Sequence, residues 1–142
     1  MTPAPGPRFL IHGLVAWAVL PVLAVGNAAL REIVLVPTLG AAAALPLSGL
    51  VLIALVFAVA GVLHVTSHQP RTAGALWGLG ACWLALTASF EIALVAATGG
   101  ASMDTLLAAL DPSGGNLFAL VLVATFLAPR LAATLLPRAP RH

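Results

Sequence analysis

The sequence has very few charged residues, no Lys, no Tyr and a single Cys. Charged side chains make up 7% of its 142 residues, against roughly 25% in soluble domains. Hydrophobic residues make up 61%, whereas a soluble domain of this size buries only about 70% of its surface. The composition therefore excludes a water-soluble fold and predicts a protein that uses the lipid bilayer as its solvent. The lone Cys82 excludes an internal disulfide, and without a CxxC pair we expect no thiolate metal site.

Motifs for catalysis and for nucleic-acid or nucleotide binding are missing as well. The pairs Gly99-Gly100 and Gly114-Gly115 lack the Lys or the flanking strand that phosphate binding requires. There is no HExxH, no GxSxG elbow, and no serine with a His or Lys partner at a suitable depth. The basic residues are six Arg scattered between apolar runs, which argues against a nucleic-acid surface. We expect no enzymatic activity and no nucleic-acid partner.

Four apolar runs are long enough to cross a bilayer, because about 20 helical residues span its hydrocarbon core. They cover residues 9–30, 45–65, 73–97 and 117–136. The connections are too short to form a separate domain, so residues 1–142 are predicted to be a single membrane domain. The predicted fold is an all-α, four-transmembrane-helix bundle. The first run exceeds the apolar core of a signal peptide, and we expect it to be retained.

The distribution of Arg residues predicts the orientation. With a cytoplasmic N-terminus, five Arg and no acid lie on the inner side: Arg8, Arg71, Arg130, Arg138 and Arg141. The outer side then holds one Arg against three acids: Arg31, Glu32, Asp104 and Asp111. This asymmetry follows the positive-inside rule and predicts an N-in/C-in protein of a cell's inner (cytoplasmic) membrane.

Two of the connections are predicted to have structure of their own. Residues 33–44 (IVLVPTLGAAAA) are apolar but interrupted by Pro37 and Gly40, so we expect them to lie in the interface or to fold back on the bundle. Residues 102–110 (SMDTLLAAL) are typical of a short amphipathic helix with Ser102 as its N-cap. Such a helix would lie flat on the outer membrane surface.

The polar residues at membrane depth are the main candidates for function. Glu91 lies within the third apolar run, where an unpaired carboxylate costs about 2.5–3.5 kcal/mol on insertion scales. Asn27 and Arg31 share a face near the end of the first run, and Thr87 lies one turn from Glu91. The spacing predicts an Arg31–Glu91 ion pair braced by Asn27 and Thr87. Such a pair could hold the helices in register, relay a proton or substrate, or dock a partner.

Two histidines suggest a cofactor alternative. His12 begins the first run and His64 ends the second, so both are predicted near the same membrane surface on neighbouring helices. Facing imidazoles could ligate a b-type haem, although interfacial histidines more commonly contact headgroups or backbone.

A face of small residues on the third helix is a candidate packing surface. Gly74, Gly78 and Cys82 are spaced four residues apart, which lets another helix approach closely. The approaching helix could belong to this bundle or to another subunit.

Several stretches of the sequence also share a pattern with a known group. They are Asn-x-x-x-Arg-Glu at 27–32, LVPTLG at 35–40, Thr-x-x-Phe-Glu at 87–91 and SMDTLL at 102–107. Over about residues 26–130 the chain resembles a group of small four-helix bacterial inner-membrane proteins of uncharacterised function. The resemblance implies the four-helix architecture and no particular activity. Members often carry a His shortly before a Leu-Ser pair, where this chain has Ala44-Leu45-Pro46, and an aromatic residue after Ser102, where it has Met103, so no His-dependent role is implied.

These observations favour a small, non-enzymatic accessory or structural subunit that packs with itself or with a larger membrane complex. The alternative is a small proton- or cation-coupled transporter or channel that uses an intramembrane Glu91–Arg31 site. Haem binding by His12 and His64 is the third possibility; otherwise we expect no cofactor and no metal.

Overall fold

The computed structural model describes residues 6–67, 71–99 and 102–137, and its regular structure is helical throughout. The helices are, in chain order, α1 (Pro7–Leu30), a π-helical turn (Arg31–Leu35), α2 (Val36–Leu39), α3 (Ala41–Thr66), α4 (Ala73–Ala97), α5 (Met103–Leu110), a 3₁₀ turn (Pro112–Gly114) and α6 (Phe118–Leu135).

Four helices are long and apolar enough to cross a bilayer, which confirms that part of the predicted fold. They are the continuous helix Pro7–Leu39, then α3, α4 and α6. The first has 33 residues, so it is about 50 Å long at 1.5 Å per residue. Because the hydrocarbon core is about 30 Å thick, this helix is longer than a perpendicular crossing needs.

The connection between the first two spans is much shorter than predicted. Helix α1 continues through the π-helical turn into α2, the chain reverses at Gly40, and α3 begins at Ala41. Gly40 has a φ of 79°, a conformation that other residues rarely adopt. Pro37 does not interrupt the helix because it follows the π-helical turn Arg31–Leu35, where the regular α-helical hydrogen bonding is already altered. Residues 33–44 are therefore two helix ends joined at a glycine rather than a separate segment.

Each helix packs on selected neighbours. Helix α6 makes extensive contacts with both α3 and α4, and α1 packs mainly on α3. Helices α1 and α4 touch over a shorter stretch, where the Trp83 Nε1 donates a hydrogen bond to the Gly13 carbonyl oxygen at 2.9 Å. The two ends of the bundle are here called the Arg31 end and the Arg71 end. The buried core, which includes Phe9 and Trp83, lies mainly toward the Arg71 end.

Arg71 closes the Arg71 end of α3. Its Nη2 donates hydrogen bonds to the carbonyl oxygens of Leu63 (2.9 Å) and Ser67 (3.1 Å), in the last turn of that helix. Its guanidinium carbon lies 5.7 Å from the centroid of the Phe9 ring. The final carbonyls of a helix lack intrahelical donors, so an Arg at this position caps them. The Arg distribution links Arg71 to the orientation of the protein only, and the structure adds this capping role.

Of the two alternatives for the small-residue face of α4, the structure does not show packing within the bundle. Gly74, Gly78 and Cys82 are all exposed, and a Cβ added to Gly78 would have no neighbouring atom within 4 Å. The close approach occurs at Gly80, where a Cβ would overlap the backbone carbonyl oxygen of Phe126 on α6. Packing of the Gly74–Gly78–Cys82 face against another chain stays a prediction.

The short helix α5 forms where the sequence predicts it. It runs from Met103 to Leu110, and the Ser102 Oγ accepts a hydrogen bond from the Thr105 backbone N–H at 3.1 Å, as an N-cap does. The following turn is fixed by Asp111, which accepts hydrogen bonds from the backbone N–H and the hydroxyl of Ser113. These two bonds, the backbone one foremost, hold the pKa of the Asp111 carboxyl below its usual value.

Candidate functional site

A cavity of about 540 Å³ lies between α1, α3, α4 and α6, toward the Arg31 end. It lies on the Arg31 side of the Trp83–Gly13 hydrogen bond that joins α4 to α1. At its base the Trp17 Nε1 donates a hydrogen bond to the Thr87 Oγ1 at 3.1 Å, which bridges the two helices. The volume is within the range of small-molecule sites, about 300–1,000 Å³.

The structure brings the four polar residues singled out in the sequence to this one cavity. Asn27 and Arg31 line it from α1 and the π-helical turn, and Thr87 and Glu91 line it from α4. Each polar side chain faces the bundle because exposure to hydrocarbon is costly. Arg31 is also the first residue of the π-helical turn, an irregularity that recurs at functional sites.

The predicted direct ion pair between Arg31 and Glu91 is wrong. The Arg31 Nε donates to the Glu32 Oε1 at 2.9 Å, and this is the one ion pair within the described ranges. The physical reason is that the cavity lies between the two side chains, with Arg31 on one wall and Glu91 on another. Because Glu32 is adjacent in the chain and its side chain is largely exposed, it reaches Arg31 without any helix–helix contact.

Asn27 is buried, with 7% of its surface exposed, and it connects α1 to α3. Its Nδ2 donates hydrogen bonds to the carbonyl oxygen and to the Oγ of Ser48, both at 2.9 Å. A carbonyl oxygen can only accept, so this contact identifies the Asn27 nitrogen. The remaining amide oxygen, Oδ1, is buried and has no donor in the part of the chain that the structure describes. Such an acceptor costs about 1–3 kcal/mol.

Other residues of the cavity were not identified from the sequence as site residues. Ser48 and Asn116 add polar atoms, and Trp17, Phe90 and Phe118 add aromatic rings. Neither a single serine in an apolar run nor an aromatic residue stands out by spacing. Gly49, next to Ser48, leaves room for the Leu117 side chain, since an added Cβ would lie 2.7 Å from the Leu117 Cβ.

The two histidines do not share a site of the kind that the haem hypothesis requires. His12 is exposed and lines a second groove, between α1 and α3. His64 is 3% exposed and is not among the residues that line this groove. Axial ligation needs both imidazoles at the two faces of one cofactor, so this arrangement does not favour haem. Within the described ranges, no group of three or more His, Cys, Asp or Glu side chains could hold a metal ion.

Comparison with known proteins gives no relative. The chain matches no family model, no curated protein and no solved structure. The resemblance to small four-helix bacterial inner-membrane proteins therefore stays a prediction.

The chemistry of the cavity follows from its charges. Arg31 and Glu32 neutralise one another at the rim, and Glu91 contributes one further negative charge when ionised. The Thr87 hydroxyl is already an acceptor for Trp17 and the Ser48 hydroxyl for Asn27. The arrangement can therefore bind a solute or exchange a proton at Glu91, and its wall presents no activated nucleophile.

Proposed function

We propose that the protein is a small, non-enzymatic, proton- or cation-coupled transporter or channel whose coupling site is Glu91. The observation that carries this proposal is the cavity. Glu91 is the one acidic residue on its wall, and it faces open space and forms no salt bridge with a described residue. An intramembrane carboxylate facing a cavity is typical of ion and substrate pathways.

The closed Arg71 end supports a transporter. Below the Trp17–Thr87 hydrogen bond, the buried side chains of Phe9, Val56 and Trp83 fill the bundle. A cavity that opens toward one end and is closed toward the other is expected for one access state of an alternating-access protein.

For the membrane and the orientation, we propose the cytoplasmic membrane with the Arg71 end inside. Arg8 begins α1, Arg71 precedes α4 and Arg130 lies in the last turns of α6, which places all three toward that end. The positive-inside rule then directs the cavity to the outer side. Helix α5 would lie in the outer interface, since Met103, Leu107 and Leu110 are exposed apolar residues.

Replacing Glu91 by Gln is expected to reduce potential-driven proton uptake into proteoliposomes at least ten-fold. Gln preserves the shape and hydrogen-bonding capacity of the side chain but cannot carry the charge. The measurement is a trapped pH-sensitive dye after a potassium diffusion potential is imposed. Asp104→Asn is the matched control, because Asp104 is an exposed acid on α5 outside the cavity. Uptake by Glu91→Gln equal to that of the parent protein would refute the coupling role.

A second function is favoured by the exposed face of α4. Gly74, Gly78 and Cys82 are uncovered, and small residues on a lipid-facing helix are typical of helix–helix interfaces. The protein would then be an accessory or structural subunit that packs with itself or with a larger membrane complex.

For this second function, Gly78→Leu is expected to convert a detergent-solubilised oligomer to a monomer without unfolding it, because Gly78 has open space around its Cα. Native mass spectrometry would measure the change. Gly26→Leu is the matched control, since Gly26 is also exposed with nothing within 4 Å but lies on α1. A parent protein that is monomeric, with no co-purifying subunit, would contradict the accessory role.

A further inference from the structure

Apart from its polar cluster, the wall of the cavity is apolar and aromatic. Trp17, Phe90 and Phe118 contribute rings, and aliphatic side chains such as Leu20 and Leu52 complete the surface. Glu91 is the one ionisable side chain on this wall besides Arg31. A ligand would therefore meet a single carboxylate within largely hydrophobic surroundings.

The charges of the cavity select the sign of the ligand. Arg31 is paired with Glu32 outside the wall, at an Nε to Oε1 distance of 2.9 Å, so Glu91 is the one charged side chain on the wall with no ion-pair partner among the described residues. In a wall of low polarity, an opposite charge on the ligand is strongly favoured and a like charge is strongly disfavoured. The site therefore complements a cation.

The walls also select the type of cation. A small hydrated ion loses its water shell on entry and needs several oxygen ligands in exchange. Here the hydroxyls of Thr87 and Ser48 are engaged with Trp17 and Asn27, and the Asn116 Oδ1 accepts from the Phe118 backbone N–H. The Asn27 Oδ1 has no donor among the described residues but is buried, and most of the remaining wall is hydrocarbon. A cation with dispersed charge and an apolar body has little hydration to lose, and aromatic rings attract it through cation–π interaction.

The entrance fits a ligand that partitions into membranes. Val25 of α1 and Leu94 of α4 line the cavity and are both exposed. The border of the cavity between these two helices is thus open and apolar. An amphiphilic solute can approach through this gap, and the volume of about 540 Å³ accommodates a molecule of drug size.

We propose that the cavity binds hydrophobic organic cations, with Glu91 as the counter-charge and the rings of Trp17, Phe90 and Phe118 as the apolar contact surface. The proposal rests on the proposed function, because it names the substrate class of the same site.

The test is equilibrium binding of radiolabelled tetraphenylphosphonium to the purified full chain in detergent. We expect saturable binding at one site, weakened at least ten-fold in Glu91→Gln and unchanged in Asp104→Asn. The non-saturable radioactivity that remains with the Glu91→Gln protein also measures how much tetraphenylphosphonium partitions into the detergent. Tetraphenylborate has the same shape and the opposite charge, and we expect it not to bind saturably.

The outcomes separate this inference from the proposed function. The assignment of an organic cation would be overturned if tetraphenylphosphonium bound equally well to the parent protein and to Glu91→Gln. It would also be overturned if tetraphenylborate bound as tightly as tetraphenylphosphonium. Absence of tetraphenylphosphonium binding, together with proton uptake that still depends on Glu91, would also overturn it while the coupling role of Glu91 survives. Loss of both binding and Glu91-dependent uptake would overturn both proposals.

Discussion

Replacing Gly80 by Ala is expected to destabilise the folded bundle by about 3 kcal/mol, although it adds a single methyl group. A Cβ at this position would overlap the backbone carbonyl oxygen of Phe126. A side chain in its place could rotate away, but a backbone carbonyl moves only with its helix. Helices α4 and α6, which share one of the largest contacts of the bundle, would have to separate. Overpacking of this kind typically costs about 1–3 kcal/mol, and a backbone clash belongs at the upper limit.

The effect of Gly80→Ala is measurable by unfolding the purified protein in increasing mole fractions of dodecyl sulfate, followed by circular dichroism. Gly78→Ala is the matched control on the same helix, since its Cβ would meet nothing within 4 Å. Gly13→Ala should lie between the two, because its Cβ would contact only the flexible end of the Leu79 side chain. Equal stability of the Gly80→Ala and Gly78→Ala proteins would disprove the close approach of α4 to α6.

The four spans were predictable because hydrophobicity over about 20 residues is enough to identify a transmembrane helix. The N-terminus of α5 was predictable for a local reason, namely the hydroxyl of Ser102 near a free backbone N–H. The position at which the first span ends was not predictable from the sequence. Pro37 and Gly40 indicated a break over twelve residues, whereas one glycine with positive φ makes the reversal. Residue composition indicates where a helix is interrupted, but only the backbone conformation shows over how many residues the chain reverses.

The cavity shows the same limit for the site. Asn27, Arg31, Thr87 and Glu91 could be selected from the sequence because each is polar at membrane depth, and the structure places them around one cavity. Their partners could not be selected. A partner depends on the distance between helices, and across the cavity from Glu91 the Arg31 side chain is bonded to Glu32 instead.

The packing glycines show why spacing alone misled. The four-residue spacing from Gly74 to Gly78 is a common packing motif, yet it lies on the exposed face of α4. Gly80, two residues later and about 200° around the helix, faces α6 instead. The sequence contains the small residues, but only the arrangement of neighbouring helices determines which of them is covered.

Trp83→Ala is expected to destabilise the bundle by about 3–5 kcal/mol, the usual cost of removing a buried aromatic side chain. Trp83 is fully buried, at 0% exposure, and its Nε1 donates to the Gly13 carbonyl oxygen. The indole therefore fills the core and joins α1 to α4 just below the cavity. Trp83→Phe should retain most of the packing and lose mainly the hydrogen bond, a cost of about 1 kcal/mol.

Trp77→Ala is the matched control for Trp83→Ala. It removes the same side chain from the same helix, but Trp77 is 40% exposed and contacts the Phe126 ring at a centroid distance of 5.2 Å. Its loss should cost about 1 kcal/mol, as for an aromatic pair. Dodecyl sulfate unfolding, again followed by circular dichroism, would rank the variants, with Trp83→Ala far below the other two. If Trp77→Ala were the more damaging change, Trp83 could not be the residue that holds α1 against α4, and the base of the cavity would need another support.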